Sequence, residues 1–329
     1  MISVVCPTYN EEKYITECIH SILQCDYPHQ DMEVLFVDGY SKDLTRRIIL
    51  EFASKHSFIK LIDNPEKVVP FALNKGIAEA KGDIIIRIDA HAVYEKNYFS
   101  TLVKYLYELN ADNVGSICKT DVLHKTPKSL AIAEVLSNRF GVGNATFRIG
   151  EFCIKEVDTV PFGCWKKVVF EKYGYFNTTL IRNQDIEFNK RIKRGGGKIY
   201  LVPDTFFTYF ARETYKDLAK NNYANGKWNI LTVWFTKQIK SLSFRHFVPM
   251  FFLLSLLLPL FASLFYFPFI YLVISILVLY LGLCLILSIS LSKQKHLNWI
   301  YLFLAFPVLH FSYGMGSLMG LICLVFIKK

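Results

Sequence analysis

The chain has 329 residues, 52% of them apolar, and a formal net charge of +10 at pH 7. This length fits one or two soluble domains, or one domain followed by a membrane region. The charge favours anionic partners such as lipid headgroups or a nucleotide diphosphate. We expect no nucleic-acid partner, since no basic helix or aromatic-basic platform is present. The eight cysteines lack C-x-x-C spacing, which argues against a zinc site or a disulfide framework.

The first ninety residues alternate between short apolar runs and amphipathic segments. Four runs rich in β-branched residues predict strands, and they are Ile2–Cys6, Met32–Val37, Phe58–Ile62 and Ile84–Asp89. The segments between them carry apolar residues at helical spacing. This alternation predicts an α/β nucleotide-binding fold. No G-x-G-x-x-G follows the first strand and no G-x-x-x-x-G-K-[ST] occurs, so a dinucleotide or P-loop site is not expected.

Acidic side chains stand where two of these strands end. Asp38 ends the second strand, and Asp89 ends the fourth, with His91 two residues later. In open α/β sheets ligands bind at the carboxyl ends of strands. An Asp and a His two residues apart at such a place can both reach one divalent cation. On these residues alone, a solvated strand end without a ligand is the alternative.

The last quarter of the chain is a predicted membrane region. No charged residue occurs from Phe247 to Ser292, and no Asp, Glu, Lys or Arg from Leu297 to Ile327. A run of about 20 apolar residues spans a bilayer, and three spans are predicted: Phe247–Phe267, Phe269–Leu291 and Trp299–Phe326. Basic residues cluster between positions 212 and 246, and no signal peptide is visible. We therefore expect the first 245 residues in the cytoplasm.

Residues 1–212 carry several motifs in a defined order. They read Pro7-x-Tyr9-Asn10-Glu11, Val37-Asp38-Gly39-x-Ser41-x-Asp43-x-Thr45, Asn74-x-Gly76-x-Ala78-x-Ala80-x-Gly82 and Asp89-x-His91. Together they resemble the family 2 glycosyltransferases, which have the GT-A fold. The segment Ile88-Asp89-Ala90-His91, with Arg182-Asn183-Gln184-Asp185-x-Glu187, is similar to the membrane-anchored exopolysaccharide (succinoglycan-type) subgroup. The resemblance implies a Rossmann-like nucleotide-sugar-binding domain with a mixed sheet.

The resemblance also implies how the donor is held. The matched residues for the nucleoside base are Pro7, Tyr9 and Glu11. Asp38 would lie near the uracil or ribose. Asp89 and His91 would hold Mn²⁺ or Mg²⁺ on the donor diphosphate, and His91 stands where the family usually has a second carboxylate. A histidine ligand leaves the choice of metal open.

The general base implied by the family is Asp185, at the start of a predicted helix. An acceptor hydroxyl has a pKa far above 7, so a positioned carboxylate must take its proton during attack. Glu187 would support this base or bind the acceptor. Trp165 would either stack on a sugar or belong to the core. On the residues alone, an ordinary acidic first turn of a helix is the alternative for Asp185.

The sequence therefore predicts three parts: a GT-A domain at 1–212, a basic interfacial segment at 213–246, and about three membrane helices at 247–329. We expect Tyr215–Trp228 to lie at the membrane surface, Ser129–Phe140 to be a helix and Gly141–Gly143 to be a loop. Processive synthases carry Q-x-x-R-W where this chain has Asn225-Gly226-Lys227-Trp228, which favours transfer of a single sugar.

The predicted function is that of an inverting, metal-dependent glycosyltransferase. It would be a multi-pass protein of the cell (inner) membrane with a cytoplasmic catalytic domain. The predicted donor is a nucleotide-sugar, UDP-linked, and the acceptor a polyprenyl-linked glycan in exopolysaccharide or surface polysaccharide synthesis. Two alternatives stay open. One is a polyprenyl-phosphate sugar synthase, whose phosphate acceptor needs no base. The other is a non-catalytic membrane scaffold that keeps a nucleotide-sugar fold.

Overall fold

The computed structural model describes residues 1–150, 153–238 and 242–326. They form two compact units, one of Met1–Lys119 with Thr146–Phe210 and one of Thr120–Ala145 with Ala211–Lys329. The division at 210 lies close to the predicted domain end at 212. The difference is the segment 120–145, which belongs to the second unit because its apolar side chains pack on a C-terminal helix.

The described residues of the first unit are built around one mixed sheet. Its strands are β1 (Ile2–Thr8), β2 (Met32–Asp38), β3 (Ile59–Asp63), β4 (Ile84–Arg87), β5 (Ala92–Tyr94), β6 (Asn113–Asp121), β7 (Lys155–Glu156), β8 (Cys164–Lys166) and β9 (Ile199–Phe210). The order is β3-β2-β1-β4-β8-β6-β9-β5, and β7 pairs with β9. The first four strands in this order are parallel, whereas β8 is antiparallel to β4. This is the α/β fold with a mixed sheet that the sequence predicts.

Helices cover both faces of this sheet. Those of the first unit are α1 (Ile15–Leu23), α2 (Thr45–Lys55), α3 (Val69–Glu79), α4 (Tyr98–Glu108), α7 (Thr146–Ile149), α8 (Val168–Tyr173) and α9 (Gln184–Arg194). Strand β4 shows how the two apolar layers form. Ile84, Ile86 and Ile88 enter one layer, and Ile85 enters the other. Side chains alternate along a strand, so Arg87 and Asp89 follow Ile85 on the same face.

The parallel register brings the ends of the central strands to one edge. Thr8 pairs with Asp38 and Val5 with Arg87, so β1, β2 and β4 end side by side. The acidic residues that follow these strands therefore lie along a single edge of the sheet, as expected for a ligand site in an open α/β sheet.

The second unit is helical in its described residues. Its helices are α5 (Pro127–Val135), α6 (Arg139–Val142), α10 (Tyr215–Thr236), α11 (Val248–Ala262), α12 (Phe269–Lys295) and α13 (Trp299–Phe326). Helices α12 and α13 have 27 and 28 residues and are long and apolar enough to cross a membrane. Helix α11 has 15 residues, about 22 Å at 1.5 Å per residue, which is shorter than the hydrocarbon core of about 30 Å. The three predicted spans thus correspond to two long helices and one short one.

Helix α10 packs along α13 through small residues. A Cβ atom on Gly226 would lie 2.0 Å from the Tyr313 carbonyl oxygen, and one on Gly316 would lie 2.0 Å from that of Tyr223. The Ser317 hydroxyl donates to the Gly226 carbonyl at 3.2 Å. The glycines therefore allow the two backbones to touch. The sequence predicts a surface segment over 215–228, and in the structure this segment is a helix packed against an apolar helix.

The segment before residue 145 departs from its prediction. The expected helix over 129–140 ends at Val135, and Arg139–Val142 forms the separate short helix α6, so Gly141 is helical and not in a loop. Helix α6 is fixed by tertiary contacts that local sequence does not reveal. Its Phe140 carbonyl accepts from His310 Nε2 at 2.9 Å, and the His310 Nδ1 contacts the Tyr280 hydroxyl at 2.9 Å.

Candidate active site

The loops after β1 and β2 form one hydrogen-bonded wall. The Asn10 N–H donates to the Ser41 hydroxyl, and the Lys42 N–H donates to the Asn10 side-chain oxygen, both at 2.8 Å. The Glu11 N–H donates to the Thr45 hydroxyl at 2.8 Å. Two motifs more than thirty residues apart are therefore a single structural feature, and each loop fixes the backbone of the other.

Asp38 is buried beneath this wall. Its carboxylate accepts from the Ser41 N–H at 2.9 Å and from Arg46 Nη1 at 2.8 Å, and Arg46 also pairs with Asp63 at 2.8 Å. The described contacts of Asp38 therefore shape the loop after β2. Pro7 is half-buried in β1, whereas Tyr9, just after this strand, is exposed.

Asp89 and His91 meet directly beyond the end of β4. His91 Nδ1 lies 2.8 Å from Asp89 Oδ1 and 3.2 Å from Glu11 Oε1. His91 Nε2 lies 2.9 Å from the Tyr209 hydroxyl, which β9 supplies. The structure thus brings together three of the predicted site residues, Glu11, Asp89 and His91.

This cluster shifts the ionisation of both partners. Burial alone would raise the pKa of Asp89, but the adjacent His91, with a smaller effect of Arg87, lowers it to about 2. Burial alone would lower the pKa of His91, but Asp89 above all, with Tyr209 and Glu11, raises it well above the usual value. In the absence of another cation, a proton on His91 therefore balances the carboxylates around it.

The donor set of this cluster fits a divalent cation only with help from a ligand. Among the described residues, no group of three His, Cys, Asp or Glu side chains is arranged to hold a metal by itself. Mg²⁺ is commonly bound by one or two protein groups plus substrate phosphates. The two carboxylates facing His91 Nδ1 supply hard oxygen ligands, and the Tyr209 contact on Nε2 is the kind of outer contact that orients a histidine ligand.

Asp185 lies in the first turn of α9, where a carboxylate is favoured by the helix dipole. The preceding Asn183 has a left-handed backbone with φ of 62°. Asp185 Oδ1 accepts from the Ile186 N–H at 2.9 Å, and its Oδ2 lies 3.6 Å from Arg87 Nη1. About a quarter of the Asp185 side chain is exposed. It is therefore held in place yet accessible.

Glu187, unlike Asp185, is not accessible to solvent. It is buried, and Arg191 binds both of its carboxylate oxygens, at 3.0 and 2.8 Å. Arg191 also donates to the carbonyls of Tyr173 and Tyr175 at 2.6 and 2.9 Å. The described contacts of Glu187 therefore anchor α9 through Arg191.

Trp165 belongs to the core, which resolves the two interpretations left open for it. It is 1% exposed and packs against Phe170, Phe176 and Phe188. A residue in this position has no face available for a sugar.

Two residues near the site were not identified from sequence. Arg87 lies in an otherwise apolar strand, and an arginine in a predicted buried strand is itself a signal that it has a specific partner. Tyr209 lies in β9, more than a hundred residues after the histidine that it contacts. No local pattern marks that pairing, because it depends on β5 pairing with β9.

Solved structures show the class of fold to which this sheet and its acidic edge belong. A mannosyltransferase from Pyrobaculum calidifontis, PcManGT, in complex with GDP-Man and Mn²⁺, superposes with a TM-score of 0.62 at 17% identity, covering 97% of this chain and 86% of that chain. TarS 1–349 of S. aureus in complex with UDP-GlcNAc superposes with a TM-score of 0.54 at 18% identity, covering 96% and 90%. The fold is GT-A.

Sequence comparison identifies the family. Residues 3–173 match the profile described as Glycosyl transferase family 2. The chain is 31% identical over 233 residues to the dolichyl N-acetyl-alpha-D-glucosaminyl phosphate 3-beta-D-2,3-diacetamido-2,3-dideoxy-beta-D-glucuronosyltransferase of Methanococcus voltae, covering 68% of this chain and 71% of that protein. It is 27% identical over 220 residues to the succinoglycan biosynthesis protein ExoA of Rhizobium meliloti, covering 64% and 63%. The protein belongs to glycosyltransferase family 2, as its motifs predict, and is an enzyme of that family.

Proposed function

We propose that this glycosyltransferase moves one sugar from a nucleotide-sugar, UDP-linked, to a hydroxyl of a polyprenyl-linked glycan, with inversion at the anomeric carbon. The names of two relatives support this choice of acceptor. One acts on a dolichyl-phosphate-linked sugar and the other takes part in succinoglycan biosynthesis. The product would be an intermediate of exopolysaccharide or another surface polysaccharide.

One observation carries the proposal: two carboxylates with different surroundings, Asp89 and Asp185, lie on the same face of the sheet. Asp89 follows β4 and is joined to His91, whereas Asp185 begins α9 and is linked to β4 through Arg87. A donor-binding acid and a separate, accessible carboxylate are what an inverting transfer to a hydroxyl requires.

The donor would lie against the wall formed by the loops after β1 and β2. The exposed ring of Tyr9 offers a stacking surface to the nucleoside base, with Pro7 and Glu11 beside it. Asp38 would act near the uracil or ribose by fixing the loop that faces them. Asp89 would contact the nucleotide-sugar on the diphosphate side.

Asp89 and His91 are the residues that would hold Mn²⁺ or Mg²⁺, with Glu11 next to them. When bound, the cation would offset the charge that develops on the diphosphate leaving group. The rest of the chemistry falls to the protein's own side chains. Tyr209 would keep the His91 ring in place.

The transfer itself would balance as a single displacement. The acceptor oxygen forms a bond to the anomeric carbon as the acceptor proton passes to Asp185. The bond between that carbon and the diphosphate oxygen breaks, and the nucleoside diphosphate leaves with the electron pair. Glu187 would support the base indirectly, since its pair with Arg191 anchors the helix that carries Asp185.

The membrane helices fit an acceptor that stays in the lipid phase. Helices α12 and α13 are the candidate spans, and basic residues between 212 and 246 favour a cytoplasmic position for the catalytic domain. We infer a multi-pass protein of the cell (inner) membrane. Such anchoring confines the enzyme to the surface where a lipid-linked glycan is presented.

A donor panel tests the proposal. Membranes containing the full chain are incubated with UDP-glucose, UDP-galactose, UDP-N-acetylglucosamine or GDP-mannose, with and without Mn²⁺ or Mg²⁺, and nucleotide diphosphate release is measured. We expect metal-dependent release from one donor and its loss in Asp89→Asn. Asp83→Asn is the matched control, because Asp83 is exposed at the opposite end of the same strand. Binding of a donor without release by the wild type would contradict the proposal and favour the scaffold alternative.

A further inference from the structure

Arg87 is a buried cation in the floor of the candidate active site. It is the last residue of β4, and its side chain is 8% exposed. Ile88 still packs in the opposite layer, so Arg87 and Asp89 project from the same face of the sheet. Burying a guanidinium costs free energy unless it is paired and hydrogen-bonded. The partners of Arg87 therefore indicate what it is for.

Those partners hold the side chain without satisfying it. The backbone N–H of Arg87 donates to the Gly163 carbonyl at 3.0 Å, and the guanidinium carbon lies 5.6 Å from the centre of the Phe162 ring. Nη1 is 3.6 Å from Asp185 Oδ2, within ion-pair range but too long for a hydrogen bond. Among the described residues, neither Nε nor Nη1 has a hydrogen-bond partner, although both are buried.

The Arg87–Asp185 pair differs in geometry from the ion pair that anchors α9. Arg191 forms a bidentate pair with Glu187 at 3.0 and 2.8 Å on the same helix. Arg87 instead keeps N–H donors unused beside an accessible carboxylate. Catalytic hydrogen bonds are often long in the absence of substrate and shorten when it binds. The geometry of Arg87 and Asp185 fits that pattern.

We propose that Arg87 is the positioning residue of the general base: it orients the Asp185 carboxylate through Oδ2. This inference rests on the proposed function, in which Asp185 accepts the acceptor proton. Arg87 takes no proton and forms no bond in the reaction. The cation–π contact with Phe162 holds the guanidinium, and the backbone bond to Gly163 holds the end of β4 from which the side chain extends.

The test compares Arg87→Gln, Arg87→Lys, Asp185→Asn and the double variant Arg87→Gln/Asp185→Asn in the full chain, with kcat and donor KM measured in the transfer assay. We expect Arg87→Gln to lower kcat by about 10- to 100-fold, because a misplaced catalytic group costs rate and not ground-state binding. Donor KM should change less than about twofold. Arg87→Lys should recover part of the loss, since it restores the charge but not the planar fork.

The double variant should be no slower than Asp185→Asn alone, because the two residues act as a unit. Lys60→Gln is the matched control. This variant also removes a cation that pairs with a carboxylate, since Lys60 lies 2.8 Å from Glu33. That pair lies near the starts of β2 and β3, away from the candidate active site. Its kcat should equal that of the wild type. If Arg87→Gln no longer binds nucleotide, the kcat and donor KM of Arg87→Lys are compared with those of the wild type instead.

Three results would overturn the role of Arg87. They are an unchanged kcat in Arg87→Gln, a raised donor KM with unchanged kcat, which would make Arg87 a donor contact, and losses that multiply in the double variant. An inactive Asp185→Asn with a fully active Arg87→Gln would refute only this inference. An active Asp185→Asn would refute the proposed base, and the positioning role with it.

Discussion

His91 is held from both sides of its ring. Nδ1 faces the carboxylates of Asp89 and Glu11, and Nε2 contacts the Tyr209 hydroxyl at 2.9 Å. A contact like the one between Nε2 and Tyr209 usually fixes the tautomer and orientation of a histidine whose other ring nitrogen binds a metal. At the scale of single residues, Tyr209 is therefore the side chain through which the metal proposal can be tested without removing a ligand.

Tyr209→Phe should weaken metal activation while leaving the fold intact. We expect the metal concentration for half-maximal activity to rise by about 10-fold, because outer contacts of metal ligands are worth about 10- to 100-fold in affinity. Metal titration of nucleotide release measures this. Tyr107→Phe, on the exposed surface of α4, is the control and should match the wild type. An unchanged metal dependence in Tyr209→Phe would argue that His91 does not contact the cation.

The residue types at the site could be read from sequence only in part. Asp89 and Asp185 stand at element ends, which is where a pattern of strands and helices predicts ligand contacts. Arg87 and Tyr209 acquire their roles from side chains that are distant in the chain. Asn189 is a further case: it lies one helical turn after Asp185 on α9, yet it is buried and its side-chain oxygen accepts from Asn113 at 2.7 Å.

At the scale of elements, the four parallel strands were predictable because buried parallel strands are continuous apolar runs. Short elements were not. Strands β7 and β8 and helix α6 have two to four residues each, and pairing or packing with distant segments stabilises them. The contact between α10 and α13 was also outside sequence reasoning, because α10 carries lysines and asparagines typical of a surface segment.

The close packing of α10 against α13 leads to a prediction about stability. Gly226→Val should destabilise the protein, because the new side chain would meet the Tyr313 carbonyl oxygen at 2.0 Å and force two helix backbones apart. We expect a loss of at least about 2 kcal/mol, which corresponds to a drop of about 3 °C or more in apparent Tm for a chain of 329 residues. Thermal unfolding of the full chain in detergent, followed by tryptophan fluorescence, measures it.

Gly282→Val is the matched control for this prediction. Gly282 also lies inside an apolar helix, α12, but nothing stands within 4 Å of a Cβ atom built there. Its apparent Tm should stay near that of the wild type. Equal Tm values for Gly226→Val and the wild type would show that α10 and α13 do not pack closely.

At the scale of the whole molecule, the sequence predicts an α/β catalytic domain and an apolar C-terminal region, and the structure contains both. The division of the chain is less simple than its linear order suggests. Residues 120–145 leave the first unit and join the helical unit, where Ala131, Ile132 and Val135 pack with residues of α13. Composition along the chain indicates where one domain ends, but it does not reveal that an internal segment packs with a later part of the chain.

The orientation of the protein in the membrane can be tested with its own cysteines. Cys153 is exposed, and the other seven, all within the described residues, are buried or partly buried. With a cytoplasmic catalytic domain, a membrane-impermeant maleimide should label the protein in inside-out vesicles and not in intact cells. Cys153→Ser should abolish most of this labelling. Strong labelling of Cys153 in intact cells would place the catalytic domain on the opposite side.

The proposed mechanism depends most on Asp185 acting as the base for a hydroxyl acceptor. The direct test measures sugar transfer by the wild type and Asp185→Asn to two acceptors, a polyprenyl-diphosphate-linked saccharide and polyprenyl phosphate. We predict transfer to the saccharide, reduced about 10²- to 10⁴-fold in the variant, with nucleotide binding retained. Transfer to polyprenyl phosphate at similar rates by both proteins would contradict the account, because a phosphate acceptor is already ionised and needs no base.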